Sequence, residues 1–269
     1  MSAGKVKNLI ILILLLVCAF LLALVIPARL EARRRAEENT ERLRRLMQEA
    51  NVTLTDRVPE TTDLRAAERT EGADAYLDTV SALLGEQVLS QQTAYRTEYS
   101  SAKGTLRLNA NGFTAELRDR ETAESPQAEV EALLARFGVT RFDLRQEPQA
   151  DGERFIATPY LYGVPVFSSE LQFSYRDGAL TTVSGSLVRE DCTAIAGQKR
   201  CCSAQDALIA FWGARLSLGW VGSRVEALSQ GFLLADASRL QPVWRIETDT
   251  GAYCVDGLTR NVFRANDAS

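Results

Sequence analysis

The stretch Pro165–Val188 reads PVFSSELQFSYRDGALTTVSGSLV. Leu171, Phe173 and Tyr175 alternate with Gln172 and Ser174, the period-two pattern of a strand buried on one face. Arg176-Asp177-Gly178 supplies turn residues that tolerate positive φ, and Ala179–Val188 resumes as a partner strand. The stretch therefore predicts antiparallel strands over 165–175 and 179–188, and the neighbouring sequence repeats this theme.

Upstream, Ser125-Pro126 predicts a helix start, with Ser as N-cap and Pro at the first helical position. Val130, Leu133, Leu134 and Phe137 form its apolar face, and Gly138 closes it. Strands are expected at 142–144 and 154–160. Downstream, Ser203 with Asp206 three residues on resembles a capping box; Leu208, Phe211 and Trp212 give the core face, and Leu218-Gly219 the stop. Strands follow at about 224–234, 242–248, 252–255 and 261–264. Earlier still, a helix from about Gly72 to Leu84 ends at Gly85. Leu106 and Leu108, then Phe113, Ala115 and Leu117, alternate around Asn111-Gly112 as a hairpin. Pro165-Val166-Phe167 leading to Asp177-Gly178 parallels Pro242-Val243-Trp244 leading to Asp249-Thr250-Gly251. Helices segregated from antiparallel hairpins make an α+β fold. Two or three related modules are expected, each one helix packed on antiparallel β-sheet: a first at 51–122, then a region 123–269 holding repeats at about 123–190 and 203–265.

Ahead of these modules stands Leu9–Ile26, LIILILLLVCAFLLALVI, eighteen apolar residues without a charge. As a helix it would be roughly 27 Å long, about one hydrocarbon core. A signal peptide has a shorter apolar run and a small-x-small cleavage site, which Val25-Ile26-Pro27-Ala28-Arg29 does not offer. A buried core helix is seldom apolar on every face. The reading is a single transmembrane helix over 9–26, with residues 1–8 as a tail. Ala19 and Ala23, four apart, form a small-residue seam against which a neighbouring helix could pack. A juxtamembrane helix over 27–50 continues it as a stalk. Leu43, Leu46, Met47 and Ala50 make a helical stripe, read either as a weak seam on a solvated spacer or as partner contact. The local arginines favour a cytoplasmic C-terminal side, while the short tail bearing Lys5 and Lys7 suits retention inside; a long domain translocates largely regardless of charge.

The formal net charge is −4, and after the apolar run 29 basic residues face 35 acidic ones, which argues against a nucleic-acid partner. There is no histidine, which removes Ser-His-Asp and Cys-His catalysis and His-ligated zinc. No catalytic residue, metal or cofactor is assigned. Cys192, Cys201, Cys202 and Cys254 follow the span. Even in number, they read as disulfides outside the membrane; adjacent cysteines rarely bond each other without strain, which leaves two pairings, and the one preferred joins Cys202 to Cys254 and Cys192 to Cys201, closing the 191–200 excursion as its own loop. Free inert thiols, a zinc site without the usual two-residue knuckle, and a thiolate at a helix N-terminus are the alternatives. Trp212, Trp220 and Trp244 read as packing residues. Tyr160, Tyr162 and Phe167 cluster round Gly163, where a strand edge could receive a partner or a hairpin core could close.

Gly163-Val164-Pro165-Val166-Phe167-Ser168-Ser169-Glu170-Leu171, running into Arg176-Asp177-Gly178, resembles the central strand pair of PepSY-type modules. Pro242-Val243-Trp244-Arg245-Ile246 with Gly251-Ala252-Tyr253-Cys254-Val255-Asp256 resembles their closing strands. With the N-terminal span, the layout is similar to the YycI/YycH group, membrane-anchored regulators of the cell-wall sensor kinase WalK (YycG) in Gram-positive bacteria. The chain departs from that pattern in lacking a Trp before the span and a Thr-Gly within 257–262. The resemblance implies a protein of the cell membrane with its N-terminus cytoplasmic and its C-terminal domain extracytoplasmic. It would act by binding a sensor histidine kinase and a second, YycH-like anchored regulator. A PepSY-like module acting on a wall or secreted hydrolase, or in sporulation, is the alternative.

Overall fold

A computed structural model describes residues 11–17, 20, 34, 38–55, 57–69, 76–93, 96–109, 112–189, 192–236 and 238–265. Mixed α+β architecture is confirmed, in two sheet-based lobes with separate cores.

The larger sheet runs β3(Leu89–Gln92)-β4(Thr97–Ser101)-β5(Gly104–Asn109)-β6(Gly112–Leu117)-β11(Ala179–Gly185)-β10(Leu171–Arg176)-β8(Gly152–Leu161)-β7(Phe142–Gln149), with β9(Val164–Pro165) pairing off β8. One face is covered by α2(Leu77–Leu84) and α3(Pro126–Arg136). Val80, Leu83, Val130 and Leu134 from the helices meet Leu106, Phe113, Phe155 and Phe173 from the strands. The hairpin read from alternation is present: Phe173 pairs with Val183, and Asp177 and Gly178 turn with φ of 51° and 75°. The upstream hairpin closes on the pair Asn109–Gly112, so Gly112 belongs to β6 and the connection is 110–111. The α3 start also matches its signal, since the Ser125 hydroxyl accepts from the Ala128 N–H at 3.4 Å. The expected boundary at 122/123 falls between β6 and α3 of this single layer, because β6 pairs directly with β11.

The smaller sheet runs β1(Thr53–Leu54)-β13(Arg224–Leu234)-β14(Arg239–Thr248)-β15(Gly251–Asp256)-β16(Val262–Arg264). The pair β2(Ala67–Glu68) and β12(Thr193–Ala194) joins it at the far end of β14. Its inner face, with Leu228, Phe232, Trp244, Ile246 and Val255, packs under α4(Ala204–Ala214). The capping box at Ser203 and Asp206 is formed: the Ser203 hydroxyl accepts from the Asp206 N–H at 3.1 Å, and the Asp206 carboxylate accepts from the Ser203 N–H at 3.4 Å. Ser203→Ala is expected to cost about 1 kcal/mol, read as a shift in the denaturant midpoint at unchanged slope.

One expected strand is broken. The reading of 165–175 as continuous fails between β9 and β10, because this segment crosses from one lobe to the other. Val166 pairs with Phe232 of β13, the Phe167 N–H donates to the Phe232 carbonyl at 2.9 Å, and the Leu234 N–H donates to the Ser168 hydroxyl at 2.6 Å. The crossing lies so close to β13 that a side chain at Gly231 would meet the Pro165 carbonyl and the Phe167 ring. Gly231→Ala should therefore wedge the lobes apart at a cost of about 1–3 kcal/mol; an unchanged unfolding midpoint would contradict this contact. Arg69 fastens the same junction, donating to the Ser186 hydroxyl and the Leu187 carbonyl, each at 3.1 Å.

Candidate functional surfaces

Of the predicted seam, Ala19 and Ala23 lie outside the described residues. Residues 11–17 are helical, and these seven apolar side chains are 47–67% exposed, as is Phe20 at 62%. Among the described residues no helix is long and apolar enough to cross a membrane.

The stalk stripe is spent inside the chain. Residues 38–49 form helix α1. Leu43 and Met47 are buried in the core of the smaller lobe, together with Val52, Phe211 and Trp220. The expectation that they meet a partner is thus corrected: the i, i+4 face finds its apolar complement in the chain's own sheet. Leu46, on the adjacent face, stays 55% exposed.

The aromatic cluster round Gly163 is likewise drawn into the molecule. Tyr162 and Gly163, with φ of 52° and 82°, turn β8 into β9. The Tyr162 hydroxyl donates to the Cys192 carbonyl at 2.6 Å while its ring sits edge-on to Phe232. Burial pushes its phenol pKa up. Tyr160 donates to the Asp143 carboxylate at 2.6 Å. That hydrogen bond, helped by burial, pushes the Tyr160 phenol up to about 12. Phe167 packs beside Leu233, Val243 and Cys254, with the Arg245 guanidinium 5.3 Å above its ring. The uncovered face of the larger sheet is polar, with a charge ladder in which Arg107 lies 3.4 Å from both Glu98 and Glu116. Such exposed pairs contribute little to stability.

The cysteines supply the most unusual chemistry. The expected pairs Cys202–Cys254 and Cys192–Cys201 are not formed. Strand alternation explains the first. Trp244 pairs with Val255 and Arg245 with Cys254, so Cys254 points away from the face that carries Trp244 and α4. Cys192 instead directs its thiol to the Arg189 carbonyl at 3.1 Å. Cys201 and Cys202 are held between three segments of chain. The Cys201 N–H donates to the Leu64 carbonyl at 2.9 Å, the Cys202 N–H to the Gly257 carbonyl at 2.7 Å, and the Trp244 indole to the Cys202 carbonyl at 2.9 Å. The neighbouring Cys202 thiol, and to a smaller extent the Gln230 amide and the Trp244 indole, hold the Cys201 thiol below its ordinary value despite burial. Cys202, beside the Cys201 sulfur and partly buried, is pushed strongly up. The adjacency was visible in the sequence, but Gln230, Trp244 and Gly257 carried no signal tying them to it.

The support beneath this pair is the turn 256–259. Asp256 accepts from the Leu258 N–H at 2.7 Å, from the Thr259 N–H at 3.1 Å and from the Thr259 hydroxyl at 2.6 Å. Burial works to raise its pKa, but these bonds and one from Gln241 outweigh it and leave the carboxyl below its ordinary value. A carboxyl depressed in the folded state stabilises fully above its unfolded pKa and loses that contribution as pH falls through the folded value. The stability gap between wild type and Asp256→Asn should therefore close on acidification below about pH 4, followed by urea unfolding; a pH-independent gap would contradict this.

No family model matches the chain, and no curated protein matches its sequence. Its fold has a solved counterpart. An uncharacterized protein from Eubacterium rectale is similar with a TM-score of 0.50 at 11% identity, over 79% of this chain and 89% of that one. At that identity the likeness concerns the fold alone. The Bacillus megaterium YpeB C-terminal domain is also similar, with a TM-score of 0.37 at 12% identity, over 73% of this chain and 98% of that one.

Proposed function

We propose that this chain is a membrane-anchored binding protein: residues 9–26 span the membrane, α1 carries the span into the smaller lobe, and the α+β region works outside the cytoplasmic membrane by contact. The observation that carries this reading is the helical run 11–17, seven apolar side chains all 47–67% exposed. A water-soluble helix hides one apolar stripe; a run with every side chain uncovered calls for a hydrocarbon solvent. The finer reading is a PepSY-like regulator of a cell-envelope sensor histidine kinase, acting with a second anchored protein. It rests on the sequence resemblance at 163–178 and 242–256. A regulator of this kind acts through differential contact with two states of its target.

Val221, 90% exposed on the smaller lobe, provides the test of topology, since the natural Cys254 is too buried to report. Val221→Cys should react with a membrane-impermeant maleimide in intact cells. Labelling only after lysis would place the lobes inside and sink the proposal. For the partner, replacing Leu9–Ile26 with an unrelated apolar span should weaken co-purification with the kinase while the lobes remain folded. Full retention of binding would move the contact to the lobes.

A further inference from the structure

We propose that β3 is the docking edge for a second copy of this chain, the two β3 strands pairing antiparallel about a two-fold axis. The larger sheet ends in β3 on one side and in β7 on the other. An unpaired edge offers its N–H and C=O groups to any approaching strand, and proteins blunt such edges with charge or proline. β7 is blunted in both ways: it carries Asp143, Arg145 and Glu147, and also Pro148, which has no N–H to give. β3 is not. Its sequence Leu89-Ser90-Gln91-Gln92 holds neither charge nor proline, every residue in it is exposed, Leu89 to 79%, and among the described residues only β4 pairs with it. Its ladder with β4 is regular from end to end, so no bulge turns the edge away.

The phase of the ladder decides which backbone groups are offered. The Thr93 N–H donates to the Arg96 carbonyl at 2.9 Å, which makes that pair a hydrogen-bonded one. Bonded and non-bonded pairs alternate along antiparallel strands, so Gln91 and Leu89 also turn their backbone groups to β4, opposite Glu98 and Ser100. Ser90 and Gln92 turn theirs outward. A single two-fold register satisfies both: Ser90 opposite the second copy's Gln92, and Gln92 opposite its Ser90. The Gln91 side chains then face each other across the axis as a non-bonded pair, with Cα atoms about 4.5 Å apart. Charge selects the occupant. Like charges directly opposite are destabilising, and a strand that meets its own copy on a two-fold axis sets identical side chains against each other. Neutral β3 escapes that penalty, and the Gln91 amide, donor and acceptor at once, bonds its own kind. A charged foreign strand finds no charge here to answer it. So short an edge pairs weakly in dilute solution. Anchoring both copies in one membrane raises their effective concentration, a gain that rests on the membrane reading although the pairing itself does not.

Gln91→Cys tests the register. Its Cα atoms across the axis would lie about 4.5 Å apart, within the roughly 4.4–6.8 Å that a disulfide spans. Leu89→Cys is the control. That side chain is on the same face of β3 and is 79% exposed, but in this register the two copies of position 89 sit about 13 Å apart along the ladder, out of reach. The full chain, concentrated in detergent, is oxidised with copper phenanthroline and run on a non-reducing gel, the wild type setting the background from its natural cysteines. The expected result is a dimer band for Gln91→Cys that reductant removes, with Leu89→Cys at the wild-type background. Adding Ser90→Pro, which deletes an outward N–H and leaves the bonds to β4 in place, should weaken the Gln91→Cys band by about tenfold, since one hydrogen bond is lost on each side of the axis. Equal bands for Gln91→Cys and Leu89→Cys would mean random collision. No band for Gln91→Cys would mean that the edge takes a foreign strand or none. Either result overturns the proposal without calling on the proline variant, and a band undiminished by Ser90→Pro overturns it as well. None of these readings depends on which side of a membrane the lobes occupy, so failure of the pairing and failure of the anchor reading are told apart.

Discussion

Met47→Ala is expected to lower the unfolding free energy by about 2–5 kcal/mol, whereas Leu46→Ala, one residue away, should change it by no more than about 0.5 kcal/mol. Met47 is 1% exposed in the core of the smaller lobe, beneath α4 and against the same sheet face as Trp244 and Ile246. Removing its side chain leaves a cavity that rigid strands cannot collapse to fill. Leu46 is 55% exposed and loses little. Urea unfolding of the solubilised chain reads both variants. Equal effects would mean that α1 is not docked as described. The contrast bears on function, because a stalk whose last two turns belong to a lobe core moves with that lobe.

Trp244→Ala should be the most damaging single change in the smaller lobe, at about 3–5 kcal/mol. The indole is fully buried and makes two kinds of contact at once. Its ring fills the space between β13, β15 and α4, and its N–H satisfies the Cys202 carbonyl at 2.9 Å. Trp244→Phe separates the two, since it keeps most of the apolar area and deletes the donor. Its expected cost is about 1–3 kcal/mol, that of a partly buried carbonyl left unsatisfied. It should also raise the reactivity of Cys202 toward a thiol reagent, because the peptide holding that residue is freed on one side. If Trp244→Phe and Trp244→Ala prove equally destabilising, the hydrogen bond and not the packing dominates this site.

The elements legible in advance were those whose signals are local. Ser125-Pro126 and the Ser203–Asp206 box place helix starts because a cap is satisfied within three residues. Asp177-Gly178 places a hairpin because positive φ is a property of two residues. β3 and β4 escaped: Leu89–Gln92 is an edge strand with every residue exposed, so no apolar alternation marks it. β7 extends to Gln149, past the expected 144, because its outer half is paired to β8 without being buried. Neither strand announces itself through hydrophobic period, the principal sequence signal.

By itself, then, the sequence determined an α+β chain with capped helices, Gly-stopped turns and an eighteen-residue apolar run, each the product of interactions spanning a few residues. The tertiary structure decided what those pieces meet. It broke 165–175 to let Val166 pair with Phe232, gave the α1 stripe to the smaller lobe, and set Gln230 against Thr62 across 168 residues. It also placed Cys254 and the Cys201–Cys202 pair on opposite sides of one sheet. An apolar face or a thiol records only that it requires a partner; which partner it finds follows from how the two sheets, a crossing strand and helices α1–α4 divide the available interior.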